Sequence, residues 1–423
     1  MTRTELTIGV AALVALAAPV TPAGAQSLAE RVRAVSGEAE VRFASRPDVC
    51  GDGEGWAWHH DDFTMGDATI HGSHGEWLRR CVHGPVRVRV SVTDHRVTRL
   101  HTHVGGETER GVTDLGTVST SEATDWLLAL ARTAPEDVAR EAVAPAALAD
   151  SVTISPSLLA LARDRERPLR VRKPALFWAG QVGEPGVLEP VRAIAADRSE
   201  DASLREHALF VLSQFPDGAG VPALIDATRD GSEPSIARKA TFWLGQADDP
   251  RASAALRELV LNAGADEEVR AQAVFVLGQH GNRPEDIAFL REHFASLPAR
   301  LQDRALMGIA QNGGAEAARW LAGLITDESR DLHVRKQALF WAGQGDDIST
   351  GAIGDLYAKL RDPEMKKQAI FVLSQRDDSA ATTKLIDIAR TDPDHEMRKR
   401  AMFWLGQKHD PRAAEFLGSL LER

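Results

Sequence analysis

Eight of the chain's 14 histidines fall between residues 59 and 103: His59, His60, His71, His74, His83, His95, His101 and His103. Asp61 and Asp62 stand beside the first pair. Imidazole and carboxylate together are the raw material of metal ligation and of general acid–base work. His101 and His103 are two apart in a stretch that alternates polar with β-branched residues. They would leave one side of a strand together, a spacing that can chelate. They are the candidate ligands of a metal-binding or enzymatic reading of this region. The remaining histidines lack the spacing of a zinc signature, so scattered surface imidazoles are the simpler expectation and no cofactor is assigned. The string His71-Gly72-Ser73-His74-Gly75 lacks the order of a nucleophile elbow. No phosphate loop or dinucleotide fingerprint appears, and no catalytic residue is assigned.

The chain has two cysteines, Cys50 and Cys81. An even count fits one disulfide in an oxidising compartment, and closing a loop of about 30 residues would stabilise a small module by roughly 3 kcal/mol. Two buried free thiols are the alternative. The first 25 residues favour the disulfide. Arg3 precedes an apolar run from Ile8 to Val20, too short to span a bilayer, and Ala23-Gly24-Ala25 supplies small residues for cleavage. An exported chain, periplasmic or secreted, starting at Gln26 is expected, with no transmembrane segment.

Chemistry of another kind recurs further on. Eight strings line up within the chain, ending at Gln181, Gln214, Gln246, Gln279, Gln311, Gln344, Gln375 and Gln407, spaced 31 to 33 residues apart. Four residues before the Gln stands Phe177, Phe210, Phe242, Phe275, Phe340, Phe371 or Phe403, with Met307 in the fifth copy. Six before it stands Ala in every copy, and ten before it an apolar residue such as Val171, Leu204, Ile236, Val269 or Val334. Three before it, Trp178, Trp243, Trp341 and Trp404 alternate with Val211, Val276 and Val372, broken by Gly308. The series FWAGQ, FVLSQ, FWLGQ appears twice, offset by 161 to 163 residues, so the array reads as a five-repeat block copied once and truncated.

These residues need helices to position them. Each unit reads as two helices: one of about 12 residues ending at the Gln, and an amphipathic partner after a turn such as Asp248-Asp249-Pro250. Supporting strings are Val269-Arg270 with Ala273 and Leu277-Gly278, and Val334-Arg335 with Ala338. The pattern resembles the HEAT repeat family, in the short HEAT-like form also found in phycobilin lyases, over about residues 155–423. The resemblance implies a mostly α, right-handed α-solenoid of helix pairs with the second helix of each pair on the concave side. It also raises a bilin-lyase-like chromophore carrier as a reading. The export signal and the lack of any cysteine in the array stand against that one.

On a helical wheel the Ala, the residue at ten before Gln and the Trp/Val position form the core face, and Trp beside Val predicts interdigitating core neighbours. The Phe falls well away from that face, and the Gln lies one turn on from it. A fully exposed row of Phe would be a large apolar patch, which soluble proteins seldom leave uncovered. Two arrangements satisfy this. Either each Phe is wedged between neighbouring second helices and each Gln bonds backbone across the repeat boundary, or a partner lies along the Phe/Gln strip. Basic residues at nine before Gln (Arg172, Arg205, Arg270, Arg335, Lys366, Arg398) follow loop acids such as Asp201, Glu267, Asp331 and Asp394. This predicts an inter-repeat ionic ladder, with a surface for an anionic partner as the lesser reading.

Four regions follow: a signal peptide over 1–25, a small β-rich, disulfide-stapled module over 26–118, a helical N-terminal cap over 119–154 and the repeat array over 155–423. In the module, Val86 to Thr93 and Arg96 to Val104 predict a hairpin across Thr93-Asp94-His95. A formal net charge of −11 argues against a general nucleic-acid binder. The function expected is a non-catalytic scaffold with a protein or peptide partner held by the Phe and Gln residues of the strip.

Overall fold

The structure, a computed structural model, describes residues 26–60, 63–66, 81–279, 283–345 and 348–421. The leader expected over 1–25, Asp61, Asp62, His71 and His74 lie outside the described residues, as do the side chains of His59 and His60. The chain divides into two compact units that meet in the sequence between Ser157 and Leu158.

The first unit opens with a short helix, α1 (Leu28–Ala34). Ser27 starts it with a reciprocal cap: its side chain accepts from the Glu30 amide, and the Glu30 carboxylate accepts from the Ser27 amide at 2.9 Å. A four-stranded sheet follows in the order β6 (Arg96–Val104), β5 (Val86–Thr93), β1 (Gly37–Phe43), β7 (Thr113–Thr117). β5 and β6 form the expected hairpin. Its turn residues Asp94 and His95 have φ of 49° and 61°, the mirror-type turn whose twist matches that of the flanking strands. β1 runs antiparallel to β5 and parallel to β7. Alternation sorts the faces: Ala39, Val41, Phe43, Val86, Val88, Val90, Leu100 and Val104 are buried. A smaller antiparallel sheet, β2 (Val49–Cys50), β3 (Ala57–His60) and β4 (Phe63–Gly66), is tied by the Cys50–Cys81 disulfide, with Cα atoms 5.2 Å apart. Helices α2 (Thr120–Thr133), α3 (Glu136–Glu141) and α4 (Val143–Ala147) complete the unit, with α2 packed on α1 and α3 on β6.

The opposite face of the sheet carries a buried ion pair. Arg87 donates to both carboxylate oxygens of Glu40, at 3.0 and 2.9 Å, and both side chains are shut off from solvent. Burial opposes the charge on Glu40, but hydrogen bonds from Arg87 and Thr108 outweigh it and hold the carboxyl below its ordinary range.

The second unit contains eight helix pairs among the described residues. The first and second helices of the pairs are Ser155–Arg163 with Leu169–Gln181, Leu188–Ala196 with Ala202–Ser213, Val221–Thr228 with Pro234–Gln246 and Pro250–Leu261 with Glu267–Gln279. Then come Pro284–His293 with Ala299–Asn312, Gly314–Thr326 with Leu332–Gln344, Thr350–Lys359 with Pro363–Ser374 and Ser379–Thr391 with His395–Gln407. The helix Pro411–Leu421 follows the eighth pair. Helix starts are set by local chemistry. Pro234, Pro250, Pro284 and Pro363 occupy the first turn, where a missing N–H is harmless. Asp201, Asp331 and Asp394 accept from an amide two residues on. These loop acids are therefore helix caps, not the acidic rungs of the expected ladder. All eight alanines at six before Gln are completely buried between the two helix layers. Second helices pack more closely on one another than first helices do, which places them on the inside of the curve. Among the described residues no helix is long and apolar enough to cross a membrane.

Candidate binding wall of the repeat array

The close approach of second helices is built on glycine. A Cβ placed on Gly180 would sit 2.5 Å from Val211 of the next repeat, and one on Gly245 would sit 2.7 Å from the Cβ of Val276. Gly343 meets Val372 in the same way. In the fifth repeat the Val is Gly308, and a Cβ on Gly278 would lie 2.9 Å from its Cα. The odd repeat is thus a point of closer backbone approach, and Asn312 there donates to the Gly278 carbonyl at 2.7 Å. Where the preceding repeat carries Ser213, Ala310 or Ser374 at the glycine position, the residue that follows is Trp243, Trp341 or Trp404. The Trp/Val alternation therefore answers a Gly/Ser alternation one repeat earlier.

The indoles correct the expectation of core packing. Trp178 is buried, but Trp243, Trp341 and Trp404 are half-buried and turn toward the Phe row. Six of the seven Phe side chains are half-buried as well: Phe177, Phe210, Phe242, Phe275, Phe340 and Phe371. Phe403, in the last repeat, is 59% exposed. The rings are in register. Phe177 stacks on Phe210 with centroids 6.0 Å apart and planes 4° apart, and Phe210 lies 4.9 Å from Trp243. Phe242 meets Trp243 edge-on at 5.0 Å, and Phe371 meets Trp404 at 5.6 Å. His207 lies against both of these rings, 6.5 Å from Phe177 and 5.6 Å from Phe210. Its Nε2 donates to the Lys173 carbonyl at 3.1 Å. Burial, with the Lys173 charge beside it, pushes its pKa down to about 4, so the ring is neutral at pH 7. The sequence pattern missed His207 because it occupies a position that is Pro, Lys, Gln or Arg in other copies.

The glutamines depart from one of the two expected arrangements. Gln181 is buried, whereas Gln214, Gln246, Gln279, Gln311, Gln344, Gln375 and Gln407 are exposed. The Gln214 amide donates to Ser213 Oγ at 3.0 Å, and Ser213 donates to the Phe210 carbonyl at 2.7 Å. Gln375 and Ser374 repeat this at 3.1 and 2.6 Å. Both amides are engaged within their own helix end, not across the repeat boundary.

The basic residues at nine before Gln are caps as well as rungs. The Nε of Arg172 donates to the Ala162 carbonyl at 2.8 Å, that of Arg205 to Ala195 at 3.1 Å, and that of Arg335 to Ile325 at 3.1 Å. Arg270 donates to Val260 at 3.1 and 2.9 Å. Each guanidinium thus satisfies the last turn of its own first helix, where carbonyls lack partners and positive charge is favoured. The cross-repeat rungs are Arg172–Glu200 at 2.6 Å, Arg205–Glu233 at 2.5 Å and Lys366–Asp392 at 3.4 Å.

In the first unit, His101 is exposed on β6 and His103 half-buried, opposite Arg89 and Arg87 of β5. The Nδ1 of His103 donates to the Glu54 carbonyl at 2.9 Å. Burial lowers its pKa, and the two arginines lower it further. Guanidinium groups across the ladder are poor company for a metal cation. Among the described residues no group of three or more His, Cys, Asp or Glu is gathered for a metal. A cleft of about 780 Å³ lies between α1, the hairpin turn and α2, lined by Val32, Val97, Trp126 and Leu130 and rimmed by Arg33 and Arg96.

Residues 221–303 match the family model for HEAT repeats. No curated protein matches the sequence. Among solved structures, the chain is similar to human deoxyhypusine hydroxylase in complex with glycerol, at 23% identity and a TM-score of 0.27, covering 60% of this chain and 94% of that one. It is also similar to the complex of CpcE and CpcF of phycocyanin lyase from Nostoc, at 19% identity and a TM-score of 0.27, covering 56% of this chain and 93% of that one. With the repeat match falling inside eight helix pairs of one pattern, the second unit is an α-solenoid of HEAT-like repeats.

Proposed function

We propose that this chain is an exported, non-catalytic scaffold that holds a protein or peptide partner along the inner wall of its repeat array. The observation that carries the reading is the row of half-buried Phe and Trp rings flanked by exposed Gln amides. A row that served only as glue would be covered on both sides. Here every Phe ring keeps an open edge, and seven of the eight Gln amides beside the row are exposed groups that can both donate and accept. The leader reading of residues 1–25 and the Cys50–Cys81 disulfide support export, since such bonds persist in oxidising compartments.

The test is replacement of Phe210, Phe242 and Phe371 together by Ser, followed by affinity capture from a cell-envelope fraction beside the unaltered chain. Bands retained by the unaltered chain and lost by the variant, at equal helix content by circular dichroism, are the expected result. Loss of helix content instead would make the Phe row structural and remove the main support of the proposal.

A further inference from the structure

The inner wall is basic although the chain is acidic. Positions eleven, eight and seven before each Gln share the Phe side of the second helix. Across the eight repeats they hold ten Lys and Arg against five Asp and Glu, in a chain of formal net charge −11. The basic residues are not spread evenly. Arg238-Lys239 precede Phe242-Trp243 by one helical turn, and Lys399-Arg400 precede Phe403-Trp404 in the same way, 161 residues later. All four basic side chains are exposed. At the first of these sites Lys239 borders a shallow cleft of about 360 Å³ with Lys173, Phe210 and Trp243, and Lys173 donates to Ser203 Oγ at 2.6 Å.

We propose that the inner wall takes an extended acidic polypeptide segment. Its apolar side chains lie on the Phe and Trp rings, and its carboxylates pair with the two basic doublets. This rests on the scaffold reading above and gives the partner its chemistry. A polynucleotide fits less well. Glu206 lines the same cleft as Lys173 and Lys239, and Glu268 and Asp303 stand on the same side of the following repeats. A phosphate at every residue would meet these carboxylates, whereas a peptide can place neutral side chains opposite them. Reach follows from geometry. The doublets are five repeats apart, and neighbouring helices are spaced about 8–10 Å, so the span is about 40–50 Å. An extended chain advances about 3.3 Å per residue, so a segment of about 12–15 residues bridges both doublets. Engaging both makes the second contact intramolecular and strengthens binding without new chemistry.

The experiment is fluorescence anisotropy with the full chain and four labelled probes. These are a 16-residue peptide alternating Glu or Asp with Leu and Phe, the same peptide with Lys for every acid, its eight-residue half, and a 16-nucleotide single strand. The acidic 16-mer should bind, weaken as salt rises, and exceed the octamer and the Lys peptide by at least tenfold. The variant R238E/K239E/K399E/R400E, checked for unchanged helix content and melting temperature, should lose at least tenfold. R319E/K359E, on first helices, should bind as the unaltered chain does. Equal binding of acidic and basic 16-mers, both lost in the Phe210, Phe242, Phe371 to Ser variant, overturns the acidic partner and leaves the scaffold reading standing. Binding of neither peptide also overturns it, leaving the scaffold reading to its own capture test. Tighter binding of the single strand than of the acidic peptide overturns both.

Discussion

The rings of Phe177 and Phe210 lie parallel, 4° apart in plane with centroids 6.0 Å apart, although they belong to different repeats. Neighbouring repeats are therefore coupled on the inner wall as well as through the buried layer of alanines. In a stacked array, stability is close to a sum of repeat and interface contributions, so such a contact belongs to one interface. A double-mutant cycle with Phe177→Leu and Phe210→Leu should give a coupling energy of about 0.5–1.5 kcal/mol. Additive single losses in urea denaturation would mean that the rings are neighbours without being partners.

The contact of Gly245 with Val276 makes a sharper demand. A Cβ at residue 245 would lie 2.7 Å from the Val276 Cβ, and both atoms are fixed to helix backbones. Ala is the better helix former by about 1 kcal/mol, so propensity alone predicts that Gly245→Ala stabilises. Overpacking of about 1–3 kcal/mol opposes it, and the net should be destabilising. Val276→Gly should cost less in the Gly245→Ala background than in the unaltered chain, because it removes the Cβ that the new methyl meets and leaves a close approach like that of Gly278 and Gly308. A rise in the denaturation midpoint for Gly245→Ala alone would refute the claim that this glycine is kept for close approach.

These two contacts also mark what could be read from the residues alone. The helix pairs were legible because Ala, Gln and an apolar residue recur at fixed offsets eight times, and such recurrence has no other economical cause. The hairpin was legible from alternation across a turn. The fate of Trp243 was not, since a wheel places it on the core face. The bulk of the residue opposite, Ser213 instead of a glycine, belongs to another repeat and enters only through packing. For the same reason one of the two expected arrangements puts the Gln amides on a neighbouring backbone, whereas Ser213 and Ser374 engage two of them locally. Asp201 and Asp331 read as ionic partners because sequence distance does not separate a cap from a rung. The rung acids are Glu200 and Glu233.

Arg205 does two jobs that substitution can separate. Its Nε caps the Ala195 carbonyl at 3.1 Å, and its guanidinium grips Glu233 across the repeat boundary. The arginine is 3% exposed, so Arg205→Ala strands a carbonyl and a carboxylate. Glu233 is 29% exposed and can rehydrate, which limits the expected loss to about 2–3 kcal/mol. The fifth repeat supplies a natural half-replacement: Gln302 stands at the same position and donates to the Phe294 carbonyl at 3.1 Å. Arg205→Gln should therefore keep the cap, lose the rung and cost about 1 kcal/mol less than Arg205→Ala. Equal losses in the two variants would assign the whole effect to the ion pair.

His207 gives the array a sensitivity to acid. Its folded pKa is about 4 against an ordinary value of 6.5, because burial and Lys173 disfavour the charged ring. Below pH 6.5 the unfolded chain takes up a proton that the folded array resists until about pH 4. The stability contributed by the neutral ring is thus fully present above pH 6.5 and is lost as the pH falls toward 4. The groups around it are Lys173, Glu206 and Lys239. His207→Phe keeps an aromatic ring against Phe177 and Phe210 but cannot titrate. The drop in melting temperature between pH 7.5 and pH 5 should be smaller in His207→Phe than in the unaltered chain, while His207→Gln should show the same flattening with a lower melting temperature throughout. Parallel pH curves for all three proteins would place the acid sensitivity elsewhere, on the capped and paired carboxylates that also lose their partners as the pH falls.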